Sequence, residues 1–178
     1  DHRDLHLSLR RQRQMCIRDR TRSAGVALGT FYTYFDSKDA VFRALVSDMS
    51  AGVGKAAREA LDPSMGALEI ERVALRAFLE FAAEHKEIYR IIDEAEFVDP
   101  DSYRAHYETI GSRIEERLKL GGESGEFAPG LGTPEAWAVM GMNVFLGLRY
   151  VIWGREGDPD FEEIARRANM LLTRGIAS

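Results

Sequence analysis

Apolar side chains recur at helical spacing through most of this chain, every three or four positions. Four of the five prolines directly follow Asp or Thr, which is typical of a helix start, because proline at the first helical position loses no hydrogen bond. The predicted helices cover residues 37–60, 63–85, 87–95, 100–120, 134–153 and 159–174. Outside residues 5–9 no alternating apolar and polar run favours a strand, so the pattern predicts an all-α protein.

The predicted helix at residues 134–153 is apolar on nearly every face. After its first turn only Asn143 and Arg149 carry polar side chains. A membrane span is disfavoured, because the apolar window is short and contains Gly141 and Gly147. A helix that is apolar all round in a soluble protein is buried on every side, so we expect core on one side and a partner subunit on the other.

The segments around this helix show different patterns. Residues 121–132 are rich in glycine and carry no periodic signal, which predicts a mobile loop. Residues 159–174 form an amphipathic helix with one apolar stripe. That helix either packs against a partner subunit or closes the core of the monomer, and the sequence leaves both open.

Residues 24–42 read AGVALGTFYTYFDSKDAVF and predict a helix-turn-helix that runs into a further helix. Gly25 can adopt the left-handed conformation that ends a helix and starts a tight turn. The outward side chains of the short second helix are hydroxyls and phenols, which suit phosphate and base-edge contacts. Asp36 or Ser37 then caps the next helix. A helical corner in an ordinary bundle is the alternative interpretation.

This segment resembles the DNA-binding domain of the TetR family of bacterial transcriptional regulators, whose glycine, G-T-F-Y, Y-F and S-K elements fall at the same spacing. The resemblance implies an all-α fold, with an N-terminal helix-turn-helix DNA-binding domain followed by an α-helical ligand-binding and dimerisation bundle. Residues implied to lie in the major groove are Leu28, Gly29, Thr30, Tyr32 and Thr33. Residues implied to hold phosphates are Thr30, Tyr32, Tyr34 and Lys38.

The resemblance also implies partners and a mechanism. It predicts a homodimer through the family's helices 8 and 9, here residues 134–153 and 159–174, that binds a palindromic double-stranded DNA operator as a repressor. A small apolar effector would favour a dimer whose recognition helices no longer match major grooves about 34 Å apart. The alternative is a dimeric helical ligand-binding or scaffold protein with a vestigial or damaged DNA reader.

Residues 1–21 depart from the family pattern. Leu5, Leu7 and Leu9 alternate with period two, and Arg20 stands where the family has an apolar residue. We expect this segment to be anomalous and non-native, with the first helix and much of the second missing or replaced; a basic arm that touches DNA is the alternative. The predicted domains are therefore the anomalous segment 1–21, the helix-turn-helix domain 22–48 (nominally 1–48), and the ligand-binding and dimerisation domain 49–178.

The distribution of charge fits a DNA-binding domain joined to a separate regulatory domain. The whole chain carries a formal charge of −5, but residues 1–60 hold 11 Lys and Arg against 7 Asp and Glu, while residues 61–178 hold 13 against 22. The single cysteine, Cys16, excludes a disulfide framework and a cysteine-based zinc site. With no pattern of a secretory signal at residues 1–20, we expect a cytoplasmic protein.

Aromatic side chains and a methionine in the second half of the chain are candidates for an effector pocket. The candidates are Phe78, Phe81, Tyr89, Phe97, Tyr103, Tyr107, Trp137, Met140, Phe145 and Arg149. Such a mixture suits an adaptable apolar cavity, although each residue taken singly is more often part of an ordinary core. Arg149 either meets an anionic head group or pairs with a carboxylate such as Glu94 or Glu96. Residues 89–107 resemble a TetR subgroup that includes fatty-acid-responsive regulators, which implies an acyl chain or acyl-CoA as effector.

The sequence contains no recognisable catalytic motif. The four histidines are scattered, and neither a glycine-rich phosphate loop nor a Ser/His/Asp arrangement is present. The nearest approach to a metal site is Glu80, Glu84, His85 and Glu87, whose spacing across a helix end favours a solvated face. We therefore expect no enzymatic activity, no metal and no cofactor.

Overall fold

The computed structural model describes residues 33–175, apart from the side chain of Lys38. The described part is helical and contains no β-strand. Its helices are α1 (Lys38–Ala60), α2 (Ala67–Glu84), α3 (Glu87–Val98), α4 (Pro100–Glu123), α5 (Thr133–Gly147) and α6 (Phe161–Gly175), and a π-helical turn, Leu148–Ile152, continues α5. None of these helices is long and apolar enough to cross a membrane. The all-α prediction is confirmed.

The chain divides into two units between Leu45 and Val46, within α1. The second unit is a helical bundle in which α6 packs along α2 and α4 packs along α5. The predicted boundaries at residues 22–48 and 49–178 stay a prediction.

Two of the predicted helix starts, at Asp62 and Asp158, are wrong. The Asp62 carboxylate accepts hydrogen bonds from the backbone N–H and the hydroxyl of Ser64, at 2.8 and 2.6 Å, so Pro63 lies in a turn and α2 begins only at Ala67. Asp158 is used in an ion pair, and α6 begins after Asp160, whose carboxylate accepts from the N–H of Glu163 at 2.8 Å. Because Arg149 holds Asp158, the Asp158 oxygens do not face the N–H groups of a following turn, as a capping side chain must.

The start at Asp99 is confirmed. Its carboxylate accepts a hydrogen bond from the hydroxyl of Ser102 at 2.7 Å and a longer one from the Ser102 N–H at 3.5 Å, and Pro100 is the first residue of α4. α4 then continues through Gly121 and Gly122 to Glu123, beyond the end predicted at residue 120.

The glycine-rich loop after α4 is anchored to the core, contrary to the prediction of a mobile loop. Phe127 within it is 1% exposed and belongs to an apolar cluster with Ile114, Leu118 and Met140. A Cβ at Gly121 would lie 2.2 Å from the Phe127 ring, so glycine is what lets the ring pack against α4. The loop sequence does not predict this contact, because a single buried side chain produces no periodic pattern of apolar residues.

Candidate functional site

The structure describes only part of the predicted DNA-contact segment. Leu28, Gly29, Thr30 and Tyr32, together with the turn before them and residues 1–21, lie outside the described residues. Thr33 and Tyr34 are helical, and Tyr34 is 77% exposed. Ser37, rather than Asp36, caps α1, since its hydroxyl oxygen accepts a hydrogen bond from the N–H of Ala40 at 3.0 Å. Lys38 is the first residue of α1.

Two small interior cavities lie among α1, α2, α3, α4 and α5. The first, of about 70 Å³, lies among α1, α2, α4 and α5. The second, of about 40 Å³, adjoins α3. Both are lined by Val53, Phe78, Ile110 and Val144, so the two cavities adjoin at these four apolar side chains, and together they are called the interior space. A space of this size accommodates a few carbon atoms and not a long acyl chain.

A larger surface groove of about 520 Å³ runs between α4 and α5. Its lining includes Tyr103, Tyr107 and Trp137, with Arg104 as the one cation among its lining residues. Val144 borders this groove as well as both cavities. Val144 is thus the residue that these three spaces share.

The predicted pocket residues separate into three groups. Phe78, Tyr89, Tyr107 and Met140 line the interior cavities. Tyr103, Trp137 and Phe145 line the groove, which Tyr107 and Met140 also reach. Phe81, Phe97 and Arg149 line none of these spaces: Phe81 packs on Gly52 and His85, Phe97 is 84% exposed, and Arg149 is paired with a carboxylate.

Arg149 does pair with a carboxylate, but with Asp158 instead of the expected Glu94 or Glu96. Its two terminal nitrogens donate to the two Asp158 oxygens at 2.9 and 3.0 Å. This bidentate bond, with a further one from the Arg155 N–H, lowers the pKa of Asp158. The segment between α5 and α6 folds back far enough for this contact, which residue spacing alone does not predict.

The polar lining of the first cavity was missed by the sequence analysis. Arg117 donates to both oxygens of Glu71, at 2.6 and 3.0 Å, and the Glu71 side chain is 1% exposed. Arg113 lies on the same cavity, and Asn143 has a buried amide oxygen without a hydrogen-bond partner in the described part of the chain. The one available signal was Asn143, a polar residue isolated in an apolar helix; nothing in the sequence pairs Glu71 with Arg117.

The second cavity contains a hydrogen bond to α1. Nδ1 of His106 and the hydroxyl of Ser50 are 2.5 Å apart, and burial lowers the pKa of His106 to about 4, so its imidazole is neutral near pH 7. The Tyr89 hydroxyl donates to the backbone oxygen of Val144 at 2.8 Å, and burial raises its pKa. Burial, helped by neighbouring Tyr103, raises the pKa of Tyr107 to about 12. This end of the space is therefore uncharged apart from Asp93.

No group of three His, Cys, Asp or Glu within residues 33–175 is placed to hold a metal ion. In the cluster singled out from the sequence, Nδ1 of His85 lies 4.0 Å from the Glu87 carboxylate and both side chains are well exposed. Arg76 instead contacts Glu80, at 3.7 Å. The cluster is thus a solvated helix end.

Known proteins of similar sequence and structure include transcriptional regulators. No protein-family profile matches the chain. An uncharacterised HTH-type transcriptional regulator of Bacillus subtilis, YhgD, is 26% identical over 160 residues, which cover 87% of this chain and 82% of that protein. The TetR-family regulator PfmR of Thermus thermophilus superposes with a TM-score of 0.69 at 21% identity, covering 89% of this chain and 87% of PfmR. The chain has the TetR-family fold.

FadR of Bacillus subtilis, solved in complex with stearoyl-CoA, superposes with a TM-score of 0.75 at 18% identity, covering 90% of this chain and 88% of FadR. The resemblance seen in residues 24–42 is thus confirmed as a TetR fold that extends over 90% of the chain in the comparison with FadR. These TetR-fold relatives are regulators and not enzymes, which agrees with the absence of catalytic patterns in the sequence.

Proposed function

We propose that the chain is a homodimeric, ligand-responsive transcriptional repressor that reads a palindromic operator and is released by a small apolar effector. One observation carries the proposal: α1 contributes Val53, Gly54 and Ala57 to the interior cavity and begins at Lys38, beside the residues that match the family's DNA contacts. The same helix therefore lines the cavity and begins in the predicted DNA-binding domain. An effector that favours one position of α1 would shift the population of dimers able to bind DNA.

The first test of this proposal is selection of bound duplexes from a random DNA library. A two-fold dimer reads two half-sites about one helical turn apart, roughly 34 Å, so we expect an enriched inverted repeat. A folded dimer that enriches no sequence would refute the DNA-binding function and favour a ligand-binding bundle.

Lys38→Gln gives a residue-level test on the selected duplex. Removing one phosphate contact from each subunit should weaken binding and reduce the salt dependence of log K by about two units per dimer. Lys55→Gln is the matched control, since Lys55 lies on the same helix, is 68% exposed and pairs only loosely with Glu59, at 3.7 Å. Equal losses in the two variants would indicate a general charge effect, and no loss in Lys38→Gln would remove Lys38 from the interface.

Exposed apolar side chains support dimerisation through the last two helical segments. Phe145 on α5 is 69% exposed, and Met170 and Leu171 on α6 are 44% and 67% exposed, whereas the opposite side of α6 packs on α2. Such surface is costly to leave in water and typical of an interface. Phe145→Glu should convert the dimer to monomer in sedimentation experiments, while Phe97→Glu, on α3, should not; a dimer that survives Phe145→Glu contradicts this face.

For the effector we propose an apolar molecule with an acyl chain, entering from the groove beside Val144. The apolar middle of the interior space supports this class of ligand, and the acyl-CoA complex of the structurally similar FadR is in keeping with it. Its addition should release the selected duplex, and an effector that leaves DNA binding unchanged would refute the coupling.

A further inference from the structure

The two ends of the interior space differ in charge. At the first end, Arg113, Arg117 and Asn143 are the polar members of an otherwise apolar lining. Glu71 neutralises Arg117 through two hydrogen bonds. No carboxylate of residues 33–175 pairs with Arg113, so this end carries one uncompensated positive charge.

The Arg113 side chain packs against α1 at Gly54. A Cβ at Gly54 would lie 2.0 Å from one terminal nitrogen of Arg113, so the guanidinium occupies space that only glycine leaves free. The Arg113 residue is only partly exposed, and a charged group that leaves water is stabilised by an opposite charge. An anionic ligand would supply this opposite charge.

Asn143 completes the same end of the cavity. Its buried amide oxygen has no hydrogen-bond partner among residues 33–175. A primary amide can present either its oxygen or its NH₂ group after rotation about χ2, so Asn143 can also donate a hydrogen bond to an acid group beside Arg113. Buried polar atoms are normally paired, and an unpaired one on a cavity wall marks a place for a ligand atom.

The opposite end disfavours an anion. Asp93 contributes a carboxylate there, while Tyr89, Tyr107 and the neutral His106 offer no cation. The potential therefore falls from Arg113 towards Asp93 along an apolar path past Phe78 and Ile110. This polarity orients a molecule that has one anionic end.

We propose that Arg113 and Asn143 form the head-group site for a free carboxylate, so that the effector is a short apolar monocarboxylic acid whose tail points towards Ile88 and Ile92. This inference rests on the proposed effector-responsive function and narrows its ligand class. A neutral thioester carries no charge for Arg113, so the free acid, and not its CoA ester, is the ligand of the interior site.

Calorimetric titration with hexanoate, 1-hexanol and hexanoyl-CoA at neutral pH tests the proposal. Charge-assisted hydrogen bonds should make hexanoate bind at least about tenfold more tightly than hexanol to the unmodified chain. In Arg113→Gln this preference should fall to within about threefold. The matched control is Arg104→Gln, the same change on the same helix but in the outer groove, which should keep the preference.

Two results would overturn the head-group site. One is equal binding of acid and alcohol to the unmodified chain; the other is tighter binding of hexanoyl-CoA that depends on Arg104 and not on Arg113.

The variant Val144→Phe, with its folding checked by circular dichroism, separates these results from failure of the proposed effector function itself. Filling the space next to Val144 should abolish binding of every ligand of the interior space. If acid and alcohol bind equally and both are lost in Val144→Phe, the cavity is the effector site without an anion-selective end. If neither probe binds the unmodified chain, this inference and the interior effector site both fail, while the operator selection decides the DNA-binding function separately.

Discussion

Phe127 anchors the loop after α4, and its truncation should destabilise the whole bundle. The side chain is 1% exposed and packs in one cluster with Ile114, Leu118 and Met140. A buried phenylalanine removes roughly 150–250 Å² from water, which corresponds to about 4–6 kcal/mol at about 25 cal/mol per Å². Since Gly121 beside the ring has no side chain to fill the gap, we expect a cavity and a loss of about 3–5 kcal/mol in Phe127→Ala.

Urea denaturation followed by circular dichroism measures this loss. The matched control is Phe97→Ala, the same change at a side chain that is 84% exposed, for which we expect a change within about 0.5 kcal/mol. The variants are compared at one protein concentration, because association of subunits adds to the apparent stability. A loss below about 1 kcal/mol in Phe127→Ala, with an unchanged denaturant slope, would refute the assignment of this loop to the core.

Two further predictions concern the second cavity and the end of α5. Because burial lowers the pKa of His106 to about 4, only the unfolded chain takes up this proton between about pH 6.5 and 4. The free energy of unfolding should therefore fall as the pH is lowered from about 6.5 to about 4, by up to about 3 kcal/mol more than in His106→Asn. Urea titrations at several pH values measure this difference. The same dependence of unfolding free energy on pH in both proteins would contradict the prediction. Gly147→Ala would place a Cβ 2.0 Å from the hydroxyl of Tyr89 and disrupt its bond to Val144, at a cost of about 1–3 kcal/mol. Gly141→Ala, with nothing within 4 Å, is the control, and equal thermal stability of the two variants would count against this packing.

The helix starts show how far local sequence reaches. Asp99 and Pro100 begin α4 as predicted, whereas Asp62 and Asp158, each also followed by proline, do not begin helices. The three dipeptides are alike as sequence. What differs lies far along the chain: the Arg149 guanidinium holds Asp158, and α2 begins at Ala67, whose N–H donates to the Glu126 carboxylate.

The candidate effector site could be predicted from the sequence only in part. Aromatic candidates could be picked out by residue type, but only the packing of helices separates Phe78 in the cavity from Phe81 on Gly52 and from exposed Phe97. Arg113 was not singled out, because an arginine on an amphipathic helix normally reaches water. Its missing partner becomes visible only once the neighbouring helices are in place.

The sequence by itself determined the helical class, the approximate helices and the resemblance to a family, because each depends on residues within one or two turns of each other: the apolar period, the capping dipeptides, and the spacing of residues 24–42. The tertiary structure alone decided which carboxylate holds Arg149, that Phe127 belongs to the core, and that Arg113 and Asn143 share a cavity wall. These contacts join residues far apart in the chain, and they are set by the volume and charge that remain when helices pack, which no local pattern records.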